Sequence, residues 1–318
     1  MAERSTASQL TSLAVQTAPG TAGSPTKVLG AAGIAFQPQV ETRTIRPSGA
    51  KFPTAVQLAR EWMAMAISGD ATYEDLLYLL TSAIGNGVET TGTALFKVLQ
   101  NTVDNVEYFT IRKGDATEGE QTMDAVVVDF GIAFSREAVE LSGSMIGRAM
   151  TMDVAQPALS YLPVSAIDPN DICVYWNQTS ADGTAPAKLT RALRGAWNIA
   201  GRQNPLWVLD CAQSSYIAVV EGSEPSITAT VQVEADDNGL NFVDYLRTAD
   251  DGWLEFRINE PADPKYASFK THAMVANIGE LGDQDGVYAY EVGFEGVHDG
   301  TWGTSVEAKV KSGTTMPT

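Results

Sequence analysis

The chain has 318 residues, of which 44% are hydrophobic and 19% are charged, and its formal net charge is −18. This length accommodates two domains with ordinary cores, and the excess of acid excludes a protein that wraps DNA by neutralising phosphates. The two cysteines, Cys173 and Cys211, cannot make a disulfide framework, and no apolar run approaches the roughly 20 residues of a membrane span.

The N-terminal region combines a small-residue segment with strand-like patterns. Residues 1–25 are rich in Ser, Thr, Ala and Gly, and we expect a flexible arm that orders only on a partner. Residues 27–47 alternate loosely and suit a strand that ends in a Pro-Ser-Gly turn. Residues 55–68 fit either a strand or a helix by pattern. We favour a strand from about Glu61, because apolar residues there precede a Gly-Asp turn.

The clearest predicted helix begins after Thr72, a suitable N-cap, and carries Glu74 and Asp75 in its first turn. Its apolar residues repeat at three- and four-residue spacing. They are Tyr73, Leu76, Leu77, Leu80 and Ile84. Gly85 and Gly87 are expected to end this helix.

Most of the remaining chain is predicted to be strands. In the first half these are residues 94–99, 107–112, 125–134 and 149–154, with a hairpin turn at 113–115 and one helical turn within 135–141. In the second half they are residues 172–176, 193–199, 206–209, 227–234, 253–258, 271–278, 287–297 and 304–310. A short helix is expected at 240–247. The sequence therefore predicts a mainly β (α+β) fold of antiparallel sheets with a flanking helix.

The two halves follow a similar order of elements. Each has a strand, an acidic turn, a helix and then further strands, which suggests an internal duplication. We therefore expect a first β domain at residues 26–155 and a second at 160–318, after the N-terminal arm at 1–25.

Catalytic patterns are lacking in the sequence. It has two histidines, His272 and His298, and no nucleophile elbow, phosphate-binding loop or dinucleotide fingerprint. The sequence therefore indicates a protein that is not an enzyme and needs no metal or cofactor. An unusual carboxylate site remains an alternative.

Several segments, in their order and spacing, resemble the major tail proteins, or tail tube proteins, of long-tailed siphovirus-type bacteriophages that infect actinobacteria. They are Arg46-Pro-Ser-Gly49 with Glu61-Trp62 and Ala71-Thr-Tyr-Glu-Asp-Leu76, then Tyr108-Phe-Thr-Ile-Arg-Lys-Gly-Asp115, then Pro169-Asn-Asp-Ile-Cys-Val-Tyr-Trp176, and finally Asp285-Gly-Val-Tyr-Ala289 through Trp302-Gly303.

This resemblance implies a tail-tube β-sandwich or barrel whose copies form stacked rings. The rings would be hexameric, or trimeric and pseudo-hexameric if the chain is duplicated. The implied partners are other copies, a tape-measure protein, and the tail terminator and distal tail proteins, with no membrane. DNA would pass through the tube without specific binding. The protein would be part of the virion tail, assembled in the host cytoplasm.

The resemblance also suggests where the contacts lie. An inter-ring interface is expected at Arg43, Arg46, Lys51 and Phe52, because the family bridges its rings with loops and an N-terminal arm. The acids expected to face the lumen are Glu107, Asp124, Asp129, Glu234 and Glu255, since DNA must slide without sticking. The alternative functions are a capsid decoration protein and a receptor-binding protein.

Overall fold

The computed structural model describes residues 9–25, 27–85, 87–100, 106–157, 159–178, 187–209, 214–222, 225–284 and 286–317. Strands make up 56% of the protein, and the described part contains two α-helices. The sheets are antiparallel apart from one short parallel pair. The predicted mainly β fold with a flanking helix is therefore confirmed.

The strands and helices of the first half have the following bounds. They are β1 (Leu10–Val15), β2 (Lys27–Val28), β3 (Gly33–Ile45), β4 (Ala55–Asp70), α1 (Tyr73–Ala83), β5 (Val88–Thr90), β6 (Thr93–Leu99), β7 (Phe109–Gly114), β8 (Gly119–Phe134) and β9 (Val139–Gly147).

The second half contains the remaining elements. They are β10 (Ser160–Tyr161), β11 (Ile172–Asn177), β12 (Ala187–Lys188), β13 (Ala192–Ala200), β14 (Gln203–Leu206), β15 (Ala218–Glu221), β16 (Ser226–Glu234), α2 (Asp237–Thr248), β17 (Asp251–Ile258), β18 (Tyr266–Ile278), β19 (Gly282–Gln284), β20 (Val287–Gly296) and β21 (Thr304–Lys311).

The two halves are joined by hydrogen-bonded strands. Strand β8 of the first half pairs with β13 of the second, and β21 of the second half pairs with β6 of the first. A large apolar core that draws side chains from both halves lies beneath these strands. Strand β10 also pairs with β2, so the predicted division into domains at 26–155 and 160–318 has paired strands crossing it at three places.

Helix α1 is buried along its whole length. Thr72 caps it as predicted, since its Oγ1 accepts a hydrogen bond from the N–H of Asp75 at 3.1 Å. Gly85, with φ of 71°, follows the helix in the left-handed region that favours glycine. The Asp75 carboxylate accepts backbone hydrogen bonds from Gly30 at 2.9 Å, Ala31 at 2.8 Å and Ala32 at 2.9 Å. Helix α1 thereby holds the three residues directly before β3.

The expected N-terminal arm is only partly separate from the fold. Strand β1 lies within it and pairs along its full length with β7, from Leu10 opposite Gly114 to Val15 opposite Phe109. Leu13 is buried in the core. This pairing corrects the expectation of a free arm for residues 10–15, whereas residues 1–8 lie outside the described part.

Other predictions of local structure also need correction. Strand β4 starts at Ala55 rather than Glu61. Strand β9 begins at Val139, where one helical turn was expected, and the predicted strand at 149–154 is reduced to a single bridge at Thr151. In the second half, β14 spans Gln203–Leu206 instead of 206–209.

Candidate assembly surface

A candidate assembly surface is one face of a continuous antiparallel sheet. Eight strands follow one another in the order β3, β4, β9, β8, β13, β16, β20 and the C-terminal end of β18. The first four belong to the first half of the chain and the last four to the second. The sheet therefore crosses from one half to the other at the β8–β13 pair.

The two faces of this sheet differ sharply in composition. Because successive side chains of a strand alternate between faces, one face packs large apolar residues such as Phe130, Trp197 and Val231 into the core. The opposite face, called the outer sheet face, carries small or polar residues. Examples are Ala35, Ala66, Ser142, Ala133, Asn198, Thr228 and Gly293. Outside the patch that Trp207 and Tyr216 cover, large apolar side chains on its described, paired residues are few, namely Met274, opposite Glu295, and Ile45 at the end of β3.

The outer sheet face is also acidic. Over the body of the sheet, as far as Gln39 on β3, its described strands carry six acids, namely Asp70, Asp129, Glu140, Glu234, Glu291 and Glu295. Two arginines lie against these acids, Arg194 at 3.6 Å from Glu291 and Arg191 at 2.5 Å from Glu234. A surface with this charge balance repels phosphate groups.

Two of the five acids predicted to face a lumen lie on this face. The Oδ2 atom of Asp129 accepts a hydrogen bond from Ser144 Oγ at 2.7 Å, and its Oδ1 accepts one from the N–H of Gly201 at 3.2 Å. Glu234 pairs with Arg191, whose Nη1 lies 2.5 Å from Glu234 Oε2. The sequence had indicated both acids, although it could not show that they share a face.

Asp124 is buried, contrary to the expectation from sequence. Its side chain is 0% exposed, and its Oδ2 lies 2.6 Å from Nε of Arg148. Its φ of 51° breaks the alternation of β8, which accounts for a carboxylate that points into the protein. Asp124 therefore has a structural role and cannot present its charge on a surface of this chain.

Glu255 is also buried, in a cluster of partners. Burial alone would raise its pKa, but hydrogen bonds from Arg257 and Ser268 and the charges of Lys270 and Arg257 outweigh that effect and hold the pKa below its usual value. The carboxylate is hydrogen-bonded and ion-paired to these partners and does not face solvent. Glu107 lies outside the eight strands, and partial burial raises its pKa.

The four residues expected at an inter-ring interface lie on the hairpin that joins β3 to β4. Arg43 belongs to β3, and Arg46, Lys51 and Phe52 belong to the turn beyond it. The Phe52 side chain is 76% exposed. Arg46 donates from Nε to the carbonyl of Ala50 at 2.6 Å, which closes the turn. The hairpin thus carries an exposed aromatic ring among three cations.

The hairpin also has an apolar face that was not predicted from the sequence. Val40, Val56 and Leu58 are all more than half exposed. In the β3–β4 register Val56 and Leu58 lie opposite Thr44 and Thr42, on the side of Val40. Near the start of β3 the same side of the hairpin packs into the core. At residues 40–58 it extends beyond the core, and no described residue of the chain covers it. Alternation along residues 40–58 was the available signal, and exposed apolar area of this kind marks an interaction site.

The fold and this surface define a class: an antiparallel β protein with an acidic, small-residue sheet face and a protruding apolar hairpin. Comparison with models of protein families gives no match, and comparison with curated proteins gives none either. The described residues contain no cluster of His, Cys, Asp and Glu able to hold a metal ion. In the same part of the chain, neither helix has the length and apolarity to cross a membrane.

Proposed function

We propose that this chain is the structural subunit of the tail tube of a long-tailed, siphovirus-type bacteriophage. Copies form rings, hexameric or trimeric and pseudo-hexameric, and the rings stack into a conduit for DNA. The observation that carries the proposal is the eight-stranded sheet, whose outer face combines small side chains with six acids. Such a face lets a polyanion pass without binding it.

The exposed hairpin supports the assembly part of the proposal. Its apolar side is exposed and its three cations have no carboxylate partner among the described residues, while the body of the protein is strongly acidic. In stacked rings, Arg43, Arg46 and Lys51 would contact acids of the adjacent ring, and Phe52 would be buried. The chain acts without catalysis or cofactor. Its further partners are the tape-measure protein within the tube and the terminator and distal tail proteins at the two ends of the virion tail.

Negative-stain microscopy of the purified protein tests this function. We expect hollow tubes with a regular axial repeat at high protein concentration. A capsid decoration or receptor-binding protein would instead give small closed oligomers without filaments. Uniform small particles at every concentration and salt would therefore overturn the proposal.

A further inference from the structure

The two halves of the chain repeat one pattern of strand pairing. In the first half the sheet order is β3, β4, β9, β8, β7, β1, with α1 directly after β4. In the second half it is β13, β16, β20, β18, β17, β11, with α2 directly after β16. Each of these elements of one half therefore has a counterpart in the other.

A β-bulge fixes which residues correspond. Strand β8 shifts register against β9 between Val127 and Asp129, and β18 shifts against β20 between Val275 and Asn277. A bulge at the same place in both strands makes Asp129 the counterpart of Asn277. Gly131 is then the counterpart of Gly279.

The hairpin registers give the correspondence for the neighbouring strand. The last residue of β4, Asp70, pairs with β9 as the last residue of β16, Glu234, pairs with β20. From Asp70 and Glu234 the correspondence extends back along β4 and β16. Through the residues paired with these strands, it extends to β3 and β13 and relates two further pairs of residues. Phe36 in β3 corresponds to Trp197 in β13, and Gln37 corresponds to Asn198. Both pairs keep their chemistry, aromatic in one case and amide in the other.

Within the chain, these elements meet at the β8–β13 junction. Asn198 lies opposite Gly131, and a Cβ at Gly131 would clash with Asn198 Oδ1. The glycine therefore makes room for the amide side chain. Asp129 adds a hydrogen bond to the N–H of Gly201.

The corresponding edges at the ends of the molecule are open. In the described part of the chain, β3 pairs with β4 alone. Gln37 and Asn277 are exposed, while their counterparts Asn198 and Asp129 are partly buried. Gly279 is exposed, whereas its counterpart in β8 is buried, and a Cβ at Gly279 would meet only atoms of the Glu291 residue, at 3.6 Å. Each chain thus contains one complete junction, between β8 and β13. It also carries, on β3 and after β18, the two edges from which an equivalent junction between two copies could form.

We infer that β3 of one copy adds to a second copy along the segment from Ile278, the last residue of β18, to Gly282, the first of β19, in the register of β13 on β8, with Gln37 opposite Gly279. This contact rests on the proposed function and names the edge through which a ring closes. It is a head-to-tail contact, which repeats from copy to copy until the ring is complete. Pro38, the counterpart of Ile199, has no N–H and therefore can donate no backbone hydrogen bond at this junction.

The second half also shows where the protruding hairpin would go. The segment that follows β13 folds back on the first half, where Trp207 and Tyr216 pack around Val126. Tyr216 donates from its hydroxyl to the carbonyl of Asp124 at 2.7 Å. By the same correspondence, the β3–β4 hairpin would cover the second half of the next copy. Its exposed apolar side chains Val40, Val56 and Leu58 would be buried there, while Arg43, Arg46, Lys51 and Phe52 would face the adjacent ring.

Cysteine cross-linking tests this register. Both native cysteines are replaced (Cys173→Ser, Cys211→Ser), and Gln37→Cys and Gly279→Cys are introduced together. Facing residues of paired strands have Cβ atoms about 5 Å apart, close enough for a disulfide after small adjustments. Oxidation of assembled protein should give covalent multimers that end at the size of one ring. Each single variant should give no species beyond a dimer.

The internal junction provides the matched control. Asn198→Cys with Gly131→Cys should form a disulfide within one chain, which shifts the mobility of the monomer on a non-reducing gel. Tubes without multimers cross-linked between positions 37 and 279, while the internal control cross-links, would overturn the inference and leave the proposed function standing. Covalent rings without tubes would support the junction and overturn the tube. Protein that neither assembles nor cross-links would overturn both.

Discussion

Arg148 and the buried Asp124 form an ion pair that orients the arginine toward the second half of the chain. Nε of Arg148 lies 2.6 Å from Oδ2 of Asp124, and Nη2 of the same guanidinium donates to the carbonyl of Ile217 at 2.7 Å. Ile217 belongs to the segment that folds back from the second half. The charge pair and this hydrogen bond therefore hold one side of the junction within the chain.

Replacement of the buried acid should strongly destabilise the protein. In Asp124→Asn the side chain keeps its shape and tolerates the positive φ, but Arg148 loses its counter-charge. Loss of one partner of a buried pair costs about 3–5 kcal/mol, to be measured from urea unfolding. Asp244→Asn, which disturbs the exposed pair with Arg247, is the control and should change stability by less than about 1 kcal/mol. Equal losses in the two variants would contradict this account.

The stability of the protein should fall in acid because of Glu255 and Glu307. Burial alone would raise the pKa of Glu307, but Lys309 at 2.5 Å and Lys97 at 2.9 Å outweigh burial and lower this pKa. The pKa of Glu255 is lowered by its own basic and hydroxyl partners in the same way. A lowered pKa in the folded state gives stability that is complete above the unfolded value of about 4.3. That stability is lost as the pH falls through the folded value.

We therefore expect a nearly constant urea midpoint between about pH 7 and pH 5 and a steep decrease below about pH 4. Glu255→Gln with Glu307→Gln should be less stable than the parent at neutral pH and should show a shallower decrease in acid. Glu260→Gln, at an exposed acid, should follow the parent curve. A double variant with an unchanged acid slope would count against these two groups.

Charge reversal on the outer sheet face should make the assemblies bind DNA. The variant carries Glu140→Lys, Glu291→Lys and Glu295→Lys, which replaces repulsion of phosphates by attraction. We expect linear DNA to be retained by the assemblies at about 50 mM salt and released at about 200 mM, because such binding depends on counterion release.

The control for this experiment changes the net charge equally at other exposed acids. It carries Asp244→Lys and Asp250→Lys, on and just after α2, and Glu260→Lys in the loop after β17. DNA retention that is equal in the two variants would show that overall charge, rather than the sheet face, governs the effect.

Charge reversal on the β3–β4 hairpin should weaken the stacking of rings. With Arg43→Glu, Arg46→Glu and Lys51→Glu, attraction to an acidic neighbour becomes repulsion, and salt screens such exposed charges. Polymers measured by light scattering should be much shorter than the parent at low salt and closer to it at high salt.

The matched variant for the hairpin experiment reverses three exposed bases elsewhere. These are Arg136 between β8 and β9, Lys188 in β12 and Arg247 in α2. Polymer length should be less affected here than in the hairpin variant. An unchanged length for the hairpin variant at both salt concentrations would remove the inter-ring assignment.

The sequence predicted the elements whose local signals agree with their tertiary setting. Helix α1 has both a capping residue and an apolar repeat, and β16 alternates cleanly. Strand β9 was missed because Ser142, Gly143, Ser144 and Gly147 have low β propensity, and its pairing with β4 and β8 supplies the stabilisation instead. Strand β1 was missed because a small-residue segment gives little signal before its partner β7 is known.

The candidate surface was predictable only in part for a related reason. Asp129 and Glu234 were identified as acids on strands, but the face that each presents depends on register. A single positive φ turned Asp124 inward, and basic partners from β17 and β18 enclosed Glu255. Neither effect can be derived from the spacing of residues along one strand.

The carboxylate of Asp75 gives the open strand β3 a rigid base. It accepts hydrogen bonds from three successive N–H groups directly before that strand and ties them to a helix that is buried along its whole length. A strand fixed in this way loses little conformational entropy when it docks, so more of the contact energy remains as affinity. Pairing of β3 with β4, and of β4 with β9, extends this fixed orientation to the hairpin, and subunits whose hairpins point alike can join without first rearranging.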